Sequence, residues 1–206
     1  MSWSADTPGA LVVAATLVAA TGATAQLRGP ELGVAASVTF PTGDYHADAA
    51  GDGFAAGWQG MALLAFRVRR SPWGIRLDGT YGVNNANDQF KADLTTQLGQ
   101  PSDAKTTLVG GNFDLTYTFY SPGPVRAYAL GGLGVYRVKI SITSGGVTSD
   151  TSETKLAWNF GGGLSFPLGG GAALFVEARY IDIGAVSNFP RTTFVPVTAG
   201  LRLGGR

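Results

Sequence analysis

Eight segments of the chain alternate apolar residues with small or polar residues, and this period of two constrains the fold more than any other feature. In residues 31–40, for example, Leu32 and Val34 fall on one face and Ser37 falls on the other. Such alternation is typical of a β-strand with one apolar face. The predicted strands are Glu31–Phe40, Trp58–Val68, Ile75–Val83, Val109–Tyr120, Arg126–Lys139, Leu156–Phe166, Leu174–Tyr180 and Val195–Leu203.

The connections between these strands alternate in length. Four are long and polar, namely Pro41–Gly57, Asn84–Thr107, Ser141–Lys155 and Gly184–Thr193. Three are short and rich in Pro and Gly, namely Arg69–Gly74, Ser121–Val125 and Pro167–Ala172. An antiparallel meander would gather the long connections at one end, here named the loop end, and the short turns with both termini at the other, named the turn end. This layout predicts an all-β fold, an eight-stranded antiparallel up-and-down transmembrane β-barrel of the outer membrane.

Aromatic residues support the membrane interpretation, because they fall alternately at the starts and ends of successive strands. The expected belt at the loop end contains Phe40, Trp58, Tyr81, Tyr136, Trp158, Tyr180 and Phe194. The expected belt at the turn end contains Phe66, Trp73, Phe119, Tyr128 and Phe166. Two such belts are typical of a protein that crosses a bilayer. The alternative, a soluble lipocalin-like barrel or sandwich, would carry its polar faces outward.

Charged residues fall on the faces that this assignment turns inward. They are Glu31, Arg67, Arg76, Asp78, Asp114, Arg137, Glu177, Arg179 and Arg202. Arg137 is included because Arg137 and Lys139 mark the polar side of a strand that is apolar on both faces in its middle. Eight strands enclose a space that side chains can fill, and buried charges require partners, so we expect a structural network of ion pairs in the lumen. Acid–base catalysis by paired carboxylates would need a substrate cleft that such a lumen lacks.

The N-terminus has the pattern of a targeting signal. Residues 10–20 contain only Ala, Leu, Val and Thr, and Ala23 and Ala25 form an A-x-A site. This apolar run is shorter than the ~20 residues that a transmembrane helix needs, and a buried core helix is the alternative. The sequence predicts a signal peptide over residues 1–25, cleavage before Gln26, and a barrel domain over residues 26–206.

The composition excludes several kinds of chemistry. The chain has no Cys and one His, which excludes disulfides, thiolate sites and a His-based metal site. It has 15 Lys+Arg and 14 Asp+Glu without a basic run, so no nucleic acid partner is expected. The glycines at 131–134 and 161–163 lie within predicted strands and lack the spacing of a phosphate-binding loop. We predict no cofactor.

The single histidine, His46, lies in the first long connection close to Asp44, Asp48 and Asp52. One hypothesis is a site for a divalent cation that bridges lipopolysaccharide, since carboxylates are hard oxygen ligands. The alternative, which we favour, is an ordinary solvated surface loop. An enzyme acting on lipid A would need a His with a positioned partner, and His46 has no partner that the sequence identifies.

Four stretches carry a resemblance to a known family, namely GVAASVTFPTGDY (33–45), YALGGLGVYRVK (128–139), LFVEARYIDIG (174–184) and VPVTAGLRLGG (195–205). They resemble the small outer-membrane β-barrel domain family, related in design to OmpX-type and opacity-type proteins. The resemblance implies outer-membrane lipids, lipopolysaccharide and the barrel-assembly machinery as partners. In that family the last strand usually ends in an aromatic residue, and Leu203 takes the corresponding position here.

These observations favour a structural or interactive function. We expect a monomer that is not an enzyme and that supports envelope integrity or mediates surface adhesion through its extracellular loops, whose ligand the sequence does not identify. A lipid A-modifying enzyme and a small-solute channel are the alternatives.

Overall fold

The period-two segments form one closed sheet. The computed structural model describes residues 27–184 and 191–204, so the predicted signal peptide lies outside the described residues. Every strand pairs antiparallel with the next, and β1 pairs with β8 to close an eight-stranded barrel, which confirms the predicted fold class. The strands are β1 (Glu31–Thr42), β2 (Gly57–Arg67), β3 (Trp73–Asn85), β4 (Ser102–Thr118), β5 (Arg126–Ser144), β6 (Val147–Gly169), β7 (Ala172–Ile183) and β8 (Thr192–Gly204).

The outer surface of the barrel is apolar over its middle section. Leu32, Leu77, Phe113 and Leu133 are all exposed there, Leu133 to 69%. An apolar surface that continues from strand to strand is unfavourable in water and suits contact with lipid acyl chains. Closure leaves the sheet without an edge in this section, so the backbone N–H and C=O groups of each strand face a neighbouring strand on both sides. Among the described residues, no helix is long and apolar enough to cross a membrane.

Strand β5 turns the opposite face inward from the one predicted. The structure buries Tyr128, Tyr136 and Val138 in the lumen and exposes Arg137, so the prediction that Arg137 belongs to the lumen is wrong. The register places Arg137 opposite Val109 on β4, at the level where the outward residues of β4, β5 and β6 change from apolar to polar. Beyond that level the barrel wall faces water, so a charged residue points outward and an apolar one inward.

Two aromatic belts are present, but some of their residues differ from those predicted. At the loop end the ring centroids of Trp58 and Tyr81 lie 5.7 Å apart, and those of Trp158 and Tyr180 lie 5.6 Å apart. At the turn end the ring of Tyr117 lies 4.9 Å from that of Trp73. Three residues that we expected in the belts are buried inside the barrel instead, namely Tyr128, Tyr136 and Phe194.

The second long connection contains a helix, α1 (Asp88–Leu98), that the strand pattern did not predict. Asn87 caps its first turn, because the side chain of Asn87 accepts a hydrogen bond of 2.8 Å from the backbone N–H of Phe90. Gly99 ends the helix with a left-handed backbone, at a φ of 68°. The helix buries Leu94 against Ala104 of β4, so it packs on the part of the barrel beyond the belt.

The prediction that Ser141–Lys155 forms a long loop is wrong. Strands β5 and β6 continue through it as a hairpin and turn at Gly145 and Gly146, whose φ values are 54° and 82°. Two successive left-handed residues define the tight turn that suits a twisted hairpin. The first connection keeps a short 3-10 helix at residues 43–45.

The inverted face of β5 leads to a labelling prediction. The natural chain has no cysteine, so a single introduced thiol is the only one present. In folded protein reconstituted in nanodiscs, we expect a water-soluble maleimide to modify Arg137→Cys within minutes. Val138→Cys, at a position that is 0% exposed, should react only after unfolding. Mass spectrometry measures the modified fraction, and the reverse order of reactivity would contradict the orientation of β5.

Candidate functional site: a charge network in the lumen

Five charged side chains meet in the middle of the lumen. Arg76 Nε lies 2.6 Å from Asp78 Oδ1, and Arg76 Nη1 lies 2.7 Å from Glu177 Oε2. Arg179 lies 2.5 Å from Asp78 and 2.8 Å from Asp114, and its Nε also pairs with Glu177. We call these five residues the central network. Each of the two guanidinium groups therefore binds carboxylates from more than one strand.

The barrel topology brings these residues together from distant parts of the chain. Arg76 and Asp78 are two residues apart on β3, so both point inward, as do Glu177 and Arg179 on β7. In a closed ring of eight strands β3 stands opposite β7, so these pairs face each other across the lumen. Asp114 of β4 joins from beside Arg76, its partner in register.

Neutral donors complete the coordination of the carboxylates. The Tyr128 hydroxyl donates a hydrogen bond of 2.8 Å to Glu177, and the Asn159 amide donates one of 2.8 Å to Asp114. Gly132 of β5 is required at its position, because a Cβ there would lie 2.5 Å from Asp114 Oδ1 and 2.0 Å from a backbone oxygen. The inward glycines of β5 thus make room for the carboxylates and tyrosines of the lumen.

Burial makes these ion pairs mutually dependent. Arg76, Asp114 and Arg179 are 1%, 0% and 4% exposed. A charge removed from water to that extent is tolerated only with close partners. Deleting one partner leaves the others buried and uncompensated. The central network can therefore hold the walls together and fill the lumen.

A second ionic group lies in the lumen towards the turn end. Glu31 binds Arg67 at 2.9 Å and Arg202 at 3.5 Å. Arg202 also donates a hydrogen bond of 2.7 Å to the Ser165 hydroxyl, and its guanidinium lies 5.3 Å from the centre of the Phe175 ring. Thus the lumen holds eight of the nine charged residues predicted there, four acids and four arginines, while Arg137 lies outside and donates to Ser152 at 3.0 Å.

An apolar layer closes the lumen on the loop-end side of the central network. The predicted network of ion pairs in the lumen did not include this layer, although the apolar residues on both faces of β5 were a signal for it. Side chains from the first loop and from β4, β5, β6, β7 and β8 form this cluster, namely Tyr45, Phe54, Leu108, Tyr136, Val138, Ile140, Ala157, Ile181, Ile183 and Phe194. These side chains pack against each other and occupy this part of the lumen.

The loop around His46 has the geometry of an ordinary turn. His46 is exposed, and its side chain makes no hydrogen bond to any described residue. Asp48 accepts hydrogen bonds from the backbone N–H groups of Ala50 and Asp52, at 2.8 and 3.0 Å, which closes the loop on itself. The pKa of Asp52 is raised, because desolvation and the neighbouring Asp93 carboxyl both disfavour its charged form.

A closed eight-stranded barrel with lipid-facing belts and a filled lumen defines a small membrane β-barrel protein. The family model described as outer membrane protein beta-barrel domain matches residues 10–202. The chain therefore belongs to this outer-membrane β-barrel family, and its place is the outer membrane.

Solved structures share the fold at low sequence identity. Neisserial surface protein A superposes with a TM-score of 0.59 and 19% identity, over 85% of this chain and 96% of that chain. A major outer membrane protein from Thermus thermophilus superposes with a TM-score of 0.55 and 13% identity, over 84% of this chain and 98% of that chain. A search of curated proteins found no significant match.

The central network leads to a stability prediction. Arg179→Met removes an ion-pair partner from three buried carboxylates, so we expect the free energy of unfolding to fall by about 3–5 kcal/mol. The exposed Arg137→Met should change it by less than about 0.5 kcal/mol. Urea unfolding of the refolded protein in liposomes measures both. Adding Asp114→Asn to Arg179→Met should lower the free energy of unfolding by less than Asp114→Asn lowers it in the wild type, because the two residues interact directly. Equal losses of stability in Arg179→Met and Arg137→Met would contradict the network's role.

Proposed function

We propose that this protein is a non-enzymatic, non-conducting barrel whose loop end faces outside the cell and mediates surface adhesion. The observation that carries the proposal is an extension of strands β4, β5 and β6 beyond the membrane, which leaves one edge of β6 open. The filled lumen supports a role at the surface rather than in transport.

The open edge belongs to residues 147–155 of β6, because the next carbonyl, that of Leu156, accepts a hydrogen bond of 3.2 Å from the backbone N–H of Gly184. Pairing between β6 and β7 starts only at Ala157, opposite Ile183, whereas β6 pairs with β5 as far as Val147. Among residues 27–184 and 191–204, no strand pairs with the other side of this nine-residue segment. At ~3.4 Å per residue the segment is roughly 30 Å long, enough for an extended peptide to add as a further strand.

The side chains of this edge suit an aqueous setting. Most are Ser, Thr or charged, and Lys139 of β5 lies 2.8 Å from Asp150 across the hairpin. Hydrogen bonds from Lys139 and Ser141 lower the pKa of Asp150, so its carboxyl group is charged at neutral pH. Charged residues on an open edge discourage indiscriminate strand pairing, which favours recognition of a particular partner.

Two features argue against the alternatives. A lipid A-modifying enzyme would need a positioned catalytic group, and the exposed side chain of His46 has no hydrogen-bond partner among the described residues. A small-solute channel would need a continuous opening, and both the apolar layer and the central network stand in its way. Outer-membrane lipids, lipopolysaccharide and the assembly machinery are the partners of a monomeric barrel in this proposal.

A shortened hairpin tests the adhesive function. We would replace residues 141–150 by Asn-Gly, so that Ile140 and Thr151, which already pair in register, flank the new turn. Bacterial cells that display the wild type should bind immobilised fibronectin or collagen, or aggregate with each other, and the shortened variant should lose at least half of that binding. Folded protein at the surface is checked by its heat-modifiable gel mobility.

The matched control is Gly145→Asn, which keeps the full hairpin and gives it an Asn-Gly turn. The new Cβ displaces only the flexible end of the Gln100 side chain, so this variant should adhere like the wild type. Equal adhesion by the shortened variant would contradict the proposal. Unchanged adhesion together with new sensitivity to detergent would assign the protein to envelope integrity instead.

The filled lumen also leads to a conductance prediction. The wild-type protein in planar bilayers should show no steady conductance at 1 M KCl. At this salt concentration the Debye length is ~3 Å, so exposed ion pairs are weakened while the buried pairs of the lumen are not. A stable, ohmic, porin-sized current from the monomer would contradict the proposal and favour a small-solute channel.

A further inference from the structure

Charge is distributed unevenly between the two ends of the barrel. Among the described residues, six arginines lie at the turn end with a single acid, Glu31, among them. The arginines are Arg28, Arg67, Arg69, Arg70, Arg126 and Arg202. All four lysines lie instead on α1 or on the strand segments near the loop end. The turn end is thus strongly cationic, and its cations are all guanidinium groups, which bind phosphate in a bidentate manner.

Two adjoining cavities open among these arginines. The larger, of about 560 Å³, lies between the β2–β3 turn and the β4–β5 turn, and Arg28, Arg67, Arg70 and Arg126 line it. The smaller, of about 220 Å³, shares Arg28, Arg67 and Arg126 and adds Arg202. Several guanidinium groups therefore converge on one connected space at the mouth of the barrel.

Most of this positive charge has no partner. Among the described residues, the guanidinium groups of Arg28, Arg70 and Arg126 make no ion pair or hydrogen bond. Arg202 is only 7% exposed, yet its Nε has no acceptor within the described part of the chain. Glu31 serves both Arg67 and Arg202, so it is shared. A buried donor without an acceptor beside a cationic cavity indicates that an anion belongs there.

The larger cavity also has an aromatic wall. Trp73, Tyr117 and Phe119 line it and belong to the turn-end belt, which faces lipid. The cavity therefore joins a cationic inner side to an apolar outer side at the depth of the lipid headgroups. A phospholipid matches both sides, with its phosphate among the arginines and its acyl chains against the aromatic rings.

The backbone of Arg70, in the turn beside the larger cavity, has an unusual conformation. Its φ is 55°, a left-handed conformation that glycine or asparagine adopts at lower cost than arginine. Arg70 lines the cavity, and strained residues of this kind cluster at ligand-binding sites.

We propose that the mouth of the barrel at the turn end binds the phosphate group of an anionic phospholipid from the adjacent leaflet. Arg28, Arg126 and Arg70 hold the phosphate, and Arg202 stands behind them with its free Nε. The bound lipid neutralises the turn end and ties it to the membrane.

Native mass spectrometry of the purified full-length barrel in detergent tests this site. The probes are phosphatidylglycerol and phosphatidylcholine with identical acyl chains. We expect phosphatidylglycerol to bind at least about tenfold better, and we expect Arg28→Gln/Arg126→Gln to remove that preference, because both charge-assisted contacts are lost. Both side chains are exposed, so the barrel should still fold. The matched control, Lys105→Gln/Arg137→Gln, removes the same charge from exposed positions near the loop end and should keep the preference.

Three results would overturn the proposal. Equal binding of the two lipids would show that the arginines do not select phosphatidylglycerol. An equal loss of the preference for phosphatidylglycerol in the control double variant would show that only the net charge of the protein matters. Displacement of phosphatidylglycerol by glycerol 3-phosphate or inorganic phosphate at equal concentration would assign the site to a soluble phosphate rather than to a lipid. None of these results bears on adhesion by the β5–β6 hairpin, so the two proposals stand or fall separately.

Discussion

Arg179 is the residue on which the interior depends. Its guanidinium group pairs with Asp78 of β3, Asp114 of β4 and Glu177 of its own strand β7, so one side chain connects opposite walls of the barrel. Lipid outside the wall offers no polar partner, and the lumen is too narrow to hydrate isolated charges. Charged residues that face inward must therefore satisfy each other, and the register of the strands around Arg179 is compatible with few other arrangements.

Polarity along the strands reverses where the barrel leaves the membrane. In the membrane the lipid side is apolar and the lumen is charged, as Leu133 and Arg179 illustrate. Beyond the loop-end belt Arg137 points to water while Val138 packs inside, as in a soluble barrel. The outward face of one strand is therefore apolar in the membrane and polar beyond it, because the surroundings change from lipid to water. This reversal places an apolar layer in the lumen and lets the β5–β6 hairpin stand in water.

The two ends of the barrel consequently have different chemistry. The loop end presents a polar hairpin with an open backbone edge, which suits polypeptide partners. The turn end presents arginines with a shared acid, Glu31, and a cavity walled by Trp73 on its lipid side. Ion pairs and packed side chains fill the middle of the lumen between the two ends. A function at each end is compatible with one rigid barrel.

The sequence by itself determined the number of strands, their order and the inward face of seven of them, because alternation shows which residues share a face. It also placed eight of nine charged residues in the lumen. Only the tertiary structure decided the orientation of β5, since alternation does not say which face meets lipid and Arg137 lies past the point where the solvent changes. Barrel closure alone decided that Arg76 meets Glu177, 101 residues away, because β3 and β7 become opposite only in the ring. The cationic mouth likewise joins Arg28 and Arg126 from separate parts of the chain, which no local pattern contains.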